Sequence, residues 1–194
     1  MRFYHGTLSK FNHFNLQFAR PGYDFGLGIY LTDSYDYALQ VIKQKSQYLP
    51  NKPQHGYIRT YDIDIDSLGD NLLVFEWNSP DNYDDYPDDF KAPFPVLHCP
   101  CDTWIDFVVH NYKYDTRKVS LPFILGPATD NLSRSIIMRF LEQECSNLDH
   151  FLWRLSGIRF LLECCDYTAQ LCLTDNYATS LVDKCLVSVT EVDL

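Results

Sequence analysis

Asp24-Phe25-Gly26-Leu27-Gly28-Ile29-Tyr30-Leu31-Thr32 is the stretch on which the reading of this chain turns. Its two glycines predict a tight turn feeding a short strand. Directly behind it, Asp33 or Ser34 suits a helix N-cap. Tyr35, Ala38, Leu39 and Ile42 then recur at i, i+3, i+4 and i+7, which is one apolar face of a helix. Turn, strand and capped helix follow one another within two dozen residues.

Working outward, the aromatic segment Arg2 to Thr7 reads as a first strand. Tyr57 to Ile65 alternates, with Tyr57, Tyr61, Ile63 and Ile65 on one face and Thr60, Asp62 and Asp64 on the other, the pattern of a half-buried strand. Asn71 to Phe75 is a further strand candidate. Asp102 suits the cap of a helix carrying Trp104, Ile105, Val108 and Val109. Leu121 to Leu125 resembles a buried strand ending at Gly126-Pro127. Helices are predicted over Ser133–Glu144 and Asp149–Leu162. Ala169 to Thr174 alternates again, with Leu171 and Leu173 opposite Gln170 and Cys172. Asn176 to Val182 is predicted helical, and Cys185, Val187 and Val189 mark a last strand. Strands and helices mix without a regular βαβ alternation, so the expected class is α+β. No repeat and no Gly/Ser linker interrupts the chain, and 194 residues suit one domain, 1–194.

Composition narrows the possibilities. Apolar residues make up 46% and aromatics 15%, too many for a disordered chain. Twenty-six acidic residues against sixteen basic ones leave a net charge of −10. Such a surface repels phosphate backbones, so unassisted nucleic-acid binding is not expected, although a local basic cleft stays open. No apolar run approaches the ~20 residues of a membrane helix. Met1 to Gly6 turns polar at once, without a signal-peptide stretch, so the expected location is cytoplasmic. Seven cysteines, an odd number with no export signal, are expected to be reduced thiols. Cys99-Pro100-Cys101 lacks the spacing and the second ligand pair of a structural zinc site, so no metal is expected. Asn78 to Pro100, rich in Pro, Tyr and Asp (Asp81, Asp84, Asp85, Asp88, Asp89), reads as an acidic loop insertion that a basic partner could cover.

The common catalytic motifs are missing: no Walker loop, no G-x-S-x-G, no H-E-x-x-H, and no G-x-G-x-x-G after a strand. Asp24-Phe25-Gly26 echoes the kinase triplet, but the rest of the kinase set is lacking. What remains is three fragments: Tyr4-His5-Gly6-Thr7, Gly26-Leu27-Gly28-Ile29-Tyr30-Leu31-Thr32, and Ala169-Gln170-Leu171-Cys172-Leu173-Thr174. In this order and spacing they resemble the ADP-ribosyltransferase superfamily, in the diphtheria-toxin-like branch that includes the poly(ADP-ribose) polymerases. The chain is closer still to small bacterial toxin-like domains of uncharacterised function with a His-Tyr-Gln pattern. Their features match Asp24 to Thr32, Trp104 to Val108, and Gly126-Pro127-Ala128-Thr129-Asp130.

The resemblance implies an ADP-ribosyltransferase-like fold, a mixed or antiparallel split β-sheet with flanking helices, and NAD as co-substrate. It implies that His5 hydrogen-bonds a ribose hydroxyl and that the backbone of Gly6 pairs with the nicotinamide carboxamide, with Thr7 beside it in the NAD site. Tyr30 would stack on the nicotinamide ring, while Gly26 and Gly28 let the ligand near the backbone. The third catalytic position falls on Gln170, where chain-building polymerases carry glutamate. Glutamine can hydrogen-bond a ribose but cannot act as a general base, which argues against chain elongation. Glu163 and Asp166 are alternative acids nearby in sequence.

The implied activity is therefore single transfer of ADP-ribose to an unidentified macromolecule by a toxin-like enzyme, with a small antitoxin protein as partner. An NAD glycohydrolase and a catalytically silent NAD- or partner-binding module are the alternatives. Outside these fragments Trp104 and Phe107 read as core, Asn111 as a helix C-terminal cap and Asp130 as a helix cap. Arg20 reads as a solvated loop residue within reach of a pyrophosphate.

Overall fold

The computed structural model describes residues 1–19, 23–75, 107–112, 121–127 and 168–194. The predicted helices over 133–144 and 149–162, the acidic stretch 78–100, Trp104, Arg20, Asp130, Glu163 and Asp166 lie outside the described residues. Among the described residues, seven strands form one sheet: β1 (Arg2–Thr7), β2 (Ile29–Thr32), β3 (His55–Asp62), β4 (Leu72–Val74), β5 (Phe123–Pro127), β6 (Ala169–Leu173) and β7 (Leu186–Asp193). Their spatial order is β4-β5-β6-β2-β1-β3-β7. Every neighbouring pair is antiparallel except β4 and β5, which run parallel. Helix α1 (Tyr35–Tyr48) follows β2, and α2 (Asn176–Asp183) follows β6. The class is α+β, as the mixture of periodicities predicts.

The helices begin where short polar side chains occupy orphan backbone donors. Ser34 Oγ accepts from the Tyr37 N–H at 3.2 Å, and Asp175 Oδ1 from the Ala178 N–H at 2.8 Å. Asp36 in the first turn of α1 and Lys45 in its last complement the helix dipole.

The core divides by sheet face. On one face Phe3, Ile29, Leu31, Tyr61, Phe123, Leu171 and Leu173 pack with Ala178 and Val182 of α2. On the other, α1 presses Ala38 and Ile42 onto Ile58 and Tyr4. Phe25, Phe75 and Phe107 make a third, aromatic contact group, with ring centroids 5.0 to 6.2 Å apart. β3 departs from its half-buried expectation, because Ile58, Arg59 and Thr60 are all buried. Alternation puts Tyr57, Arg59 and Tyr61 on the α2 face and Ile58 and Thr60 on the α1 face, and both faces are covered. No helix among the described residues is long and apolar enough to cross a membrane.

The sheet is divided at its centre. β1 pairs with β3 over six positions, and β2 with β6 over four. Between β1 and β2 the ladder holds one pair, Tyr4 with Thr32. The structure thus has a β1–β3–β7 side and a β4–β5–β6–β2 side, joined at Tyr4.

Candidate active site at the break between β1 and β2

The backbone around the break can be followed atom by atom. Met1 and Ile63 exchange both hydrogen bonds, Met1 N to Ile63 O at 2.6 Å and Ile63 N to Met1 O at 2.8 Å. In an antiparallel ladder such pairs alternate, so residues 1, 3, 5 and 7 direct their backbone groups at β3. Tyr4 and Gly6 then direct theirs at β2. The Tyr4–Thr32 register would place Gly6 opposite Tyr30, but the ladder does not continue there. The carbonyl of Tyr30 is engaged instead by the imidazole of His5, with Nδ1 2.9 Å from the oxygen. By the same alternation the Gly6 N–H and C=O are directed toward β2, at a position where the β1–β2 ladder holds no pair.

A carbonyl only accepts, so His5 Nδ1 carries the proton and Nε2 is the acceptor. Burial lowers the imidazole to about 4, and the bond to the Tyr30 carbonyl opposes that shift. Near neutral pH His5 is therefore an uncharged ring whose Nε2 can accept a hydroxyl hydrogen. Phe11 and Phe14 pack edge-on against it, with centroids 5.9 and 5.2 Å away.

Those two rings belong to a loop held from below by Arg59, itself only 3% exposed. Its Nε donates to the Tyr61 phenol at 2.7 Å, its Nη1 to the Phe11 carbonyl at 2.6 Å and its Nη2 to the Asn12 carbonyl at 3.3 Å. The guanidinium carbon lies 4.2 Å from the Phe11 ring centroid. The alternation puts Arg59 on the face of Tyr57 and Tyr61, but nothing local in the sequence shows which carbonyls its guanidinium meets.

Tyr30 is fixed at its hydroxyl by two hydrogen bonds and along its ring by aromatic packing. The hydroxyl donates to Gly26 O at 2.7 Å and accepts from Phe25 N–H at 3.0 Å. Burial pushes the phenol well above its ordinary value, so it stays protonated. The ring lies against Phe25 at 6.3 Å and 21°, and against Tyr23 at 5.3 Å and 45°.

The glycines serve contacts within the protein. Gly26 has φ +76°, the left-handed region that glycine enters without a Cβ clash. A Cβ on Gly28 would collide with Cys172 Sγ, and one on Gly6 would stand 2.5 Å from the Ala38 carbonyl of α1. The close approach that glycine permits at position 6 is therefore that of a helix. Thr7 Oγ1 donates to Ser9 O at 3.1 Å and closes a local turn at the end of β1.

Gln170 lies on β6 opposite Thr32, on the same sheet face as Tyr30 and Cys172. Its Nε2 donates to Asp24 Oδ2 at 2.8 Å. Asp24, 5% exposed, also accepts from Tyr112 Oη at 3.1 Å through Oδ1. Its carbonyl takes the Asn111 Nδ2–H at 2.8 Å. Asn111 is not the C-cap expected from sequence, since the helical turn continues through Tyr112; its amide anchors the 24–26 turn instead. Phe107 is buried against Phe25 and Phe75, as a core residue should be. Tyr30 and Gln170 are thus joined through one turn, and His5 reaches Tyr30 from the other side of the break. Among the described residues no group of three His, Cys, Asp or Glu side chains could hold a metal, and neither Cys172 nor Cys185 forms a disulfide.

Residues 1–85 match the model of a family described as "Protein of unknown function (DUF3990)". The matched part carries His5, Gly6, Asp24 and Tyr30 but not Gln170. No curated protein and no solved structure matches the chain.

Proposed function

We propose that this protein is an NAD-dependent mono-ADP-ribosyltransferase, working in the cytoplasm as a toxin-like enzyme on a macromolecular acceptor. The observation that carries the reading is the break beside Gly6. A backbone N–H and C=O directed at the break in the ladder form the complement of a primary carboxamide, which presents one donor and one acceptor. Nicotinamide carries that group, and NAD joins it to ribose through a bond that breaks by way of an oxocarbenium-like state. The His5 Nε2 is an acceptor suited to a ribose hydroxyl. Tyr30 supplies an aromatic surface next to Gly6, and such faces favour a cationic ring. A fold of the ADP-ribosyltransferase type is part of the same proposal, supported by the sheet that opens at its centre. A small antitoxin partner belongs to it as well.

In the overall step the nicotinamide leaves with the electron pair of the glycosidic bond. The acceptor nucleophile bonds to the ribose carbon and releases a proton. Gln170 cannot take that proton, so the acceptor or solvent receives it. The same lack of a base is the observation that keeps an NAD glycohydrolase as the second reading.

The two are separated by following nicotinamide release. Transfer predicts slow release from NAD alone, quickened by a cell extract and accompanied by labelled ADP-ribose on a macromolecule. Release at full rate without acceptor favours hydrolysis. No release under either condition overturns both readings.

A further inference from the structure

We infer that the outer edge of β7 is an interaction surface that takes the same strand of a second copy of this chain, run antiparallel to it. The surface stands apart from the NAD chemistry, since β1 and β3 lie between it and the β1–β2 break. The two edges of the sheet differ. At one, β4 has three residues, and a very short edge strand is a common protection against pairing. At the other, β7 has eight, Leu186–Asp193, and its first five carry no charge. It holds no Lys and no Pro to discourage a partner. Val187 and Val189 are 55% and 45% exposed.

The backbone directions follow from the β1–β3 ladder. Residues 1, 3, 5 and 7 turn their backbone groups toward β3, so their partners Ile63, Tyr61, Arg59 and Tyr57 turn theirs toward β1. Gly56, Ile58 and Thr60 then face β7 and meet Val192, Thr190 and Ser188. Val189, Glu191 and Asp193 therefore direct N–H and C=O away from β3. Among the described residues no strand pairs with that side. Charge selects the occupant and its register. With Val189 on a two-fold axis, Glu191 falls opposite Val187 of the second copy. Asp193 falls opposite Cys185 of that copy, next to the exposed Lys184. The acidic end of each strand thus lies along the uncharged start of the other, which a lysine precedes. Centring the axis on Glu191 instead would set two carboxylates directly opposite, which destabilises a strand pair. A two-fold contact of this kind closes at two copies and continues the sheet from one into the other.

Sedimentation velocity over a dilution series tests this, with Val189→Pro and Val189→Lys beside the wild type. Proline removes the outward N–H of residue 189, which no bond to β3 uses. Lysine keeps the backbone and sets two ammonium groups face to face across the axis, so it decides the case whatever proline does to the strand. The expected result is a wild-type dimer that dissociates on dilution, since one strand pair buries less than the ~1,200 Å² of a stable interface. Val189→Lys is expected to stay monomeric at every concentration, with the urea midpoint of the diluted wild type. Amide hydrogen exchange places the contact. Val189 and Glu191 should slow as the wild type is concentrated, while Ser188 and Thr190, already bonded to β3, stay unchanged. A Val189→Lys variant that dimerises like the wild type, or Val189 exchange that ignores concentration, overturns the inference. So does a wild type still monomeric at ~1 mM, which would leave the edge to a strand of another protein.

Discussion

Gly6→Ala is expected to destabilise the protein by about 3 kcal/mol, near the upper end of overpacking costs, because the atom in the way is backbone. The new Cβ would stand 2.5 Å from the Ala38 carbonyl oxygen and 2.7 Å from Ile42 Cγ2. A flexible side chain could swing aside, but the Ala38 carbonyl belongs to the hydrogen-bonded ladder of α1. The helix must therefore lift from β1, and Ile42 and Ile58, both fully buried, lose contact as it does. Urea denaturation measures this directly. A midpoint indistinguishable from that of the unmodified protein would show that α1 is not seated on β1 as described.

Arg59→Leu is expected to cost a similar amount, about 3 kcal/mol, since hydrogen bonds to a charged group are the stronger kind and three are lost together. The Tyr61 hydroxyl and the Phe11 and Asn12 carbonyls lose their donor. The Tyr61 phenol, which burial pushes up to about 12 against the pull of Arg59, is left in the core without it. Arg59→Lys keeps the charge but cannot present three donors in a plane, so it should recover only part of the loss. Limited proteolysis adds a local readout. Cleavage near Phe11 to Phe14 should quicken in Arg59→Leu before the rest of the chain is attacked. Equal cleavage rates and equal urea midpoints would remove Arg59 as the support of the loop that packs on His5.

Local chemistry explains which parts of this architecture can be read from sequence. The turn at Gly26, the strand Ile29–Thr32 and the Ser34-capped helix follow from residues within a few positions of one another. The alternation of Gln170 and Cys172 against Leu171 and Leu173 likewise places Gln170 on the Tyr30 face. Where a contact is distant the pattern is silent. Asp24 looks like an ordinary turn aspartate, yet its partners lie 87 to 146 residues away. The only local hint was an acidic residue set directly before an apolar, glycine-punctuated run.

Two glycine positions gave a partial reading for a related reason. The sequence shows that a Cβ is missing but not what fills the space. At Gly6 it is α1, and at Gly28 it is β6. β3 misled in another way. Its alternation predicts one wet face, but α1 crosses over β1 and buries that face as well. The interruption of the β1–β2 ladder is the least legible feature of all, because it depends on the His5 imidazole taking a carbonyl that a strand partner would otherwise use.

The central claim is that the backbone of Gly6 and the ring nitrogen of His5 form a nicotinamide-ribose site. The most direct measurement is a titration of the isotope-labelled protein with NAD and with free nicotinamide, followed by NMR. The account predicts a saturable shift of the Gly6 amide with both ligands, and a shift of the His5 ring nitrogens with NAD alone, since only NAD brings the ribose. Saturating NAD that leaves the Gly6 amide and the His5 ring unmoved would contradict it.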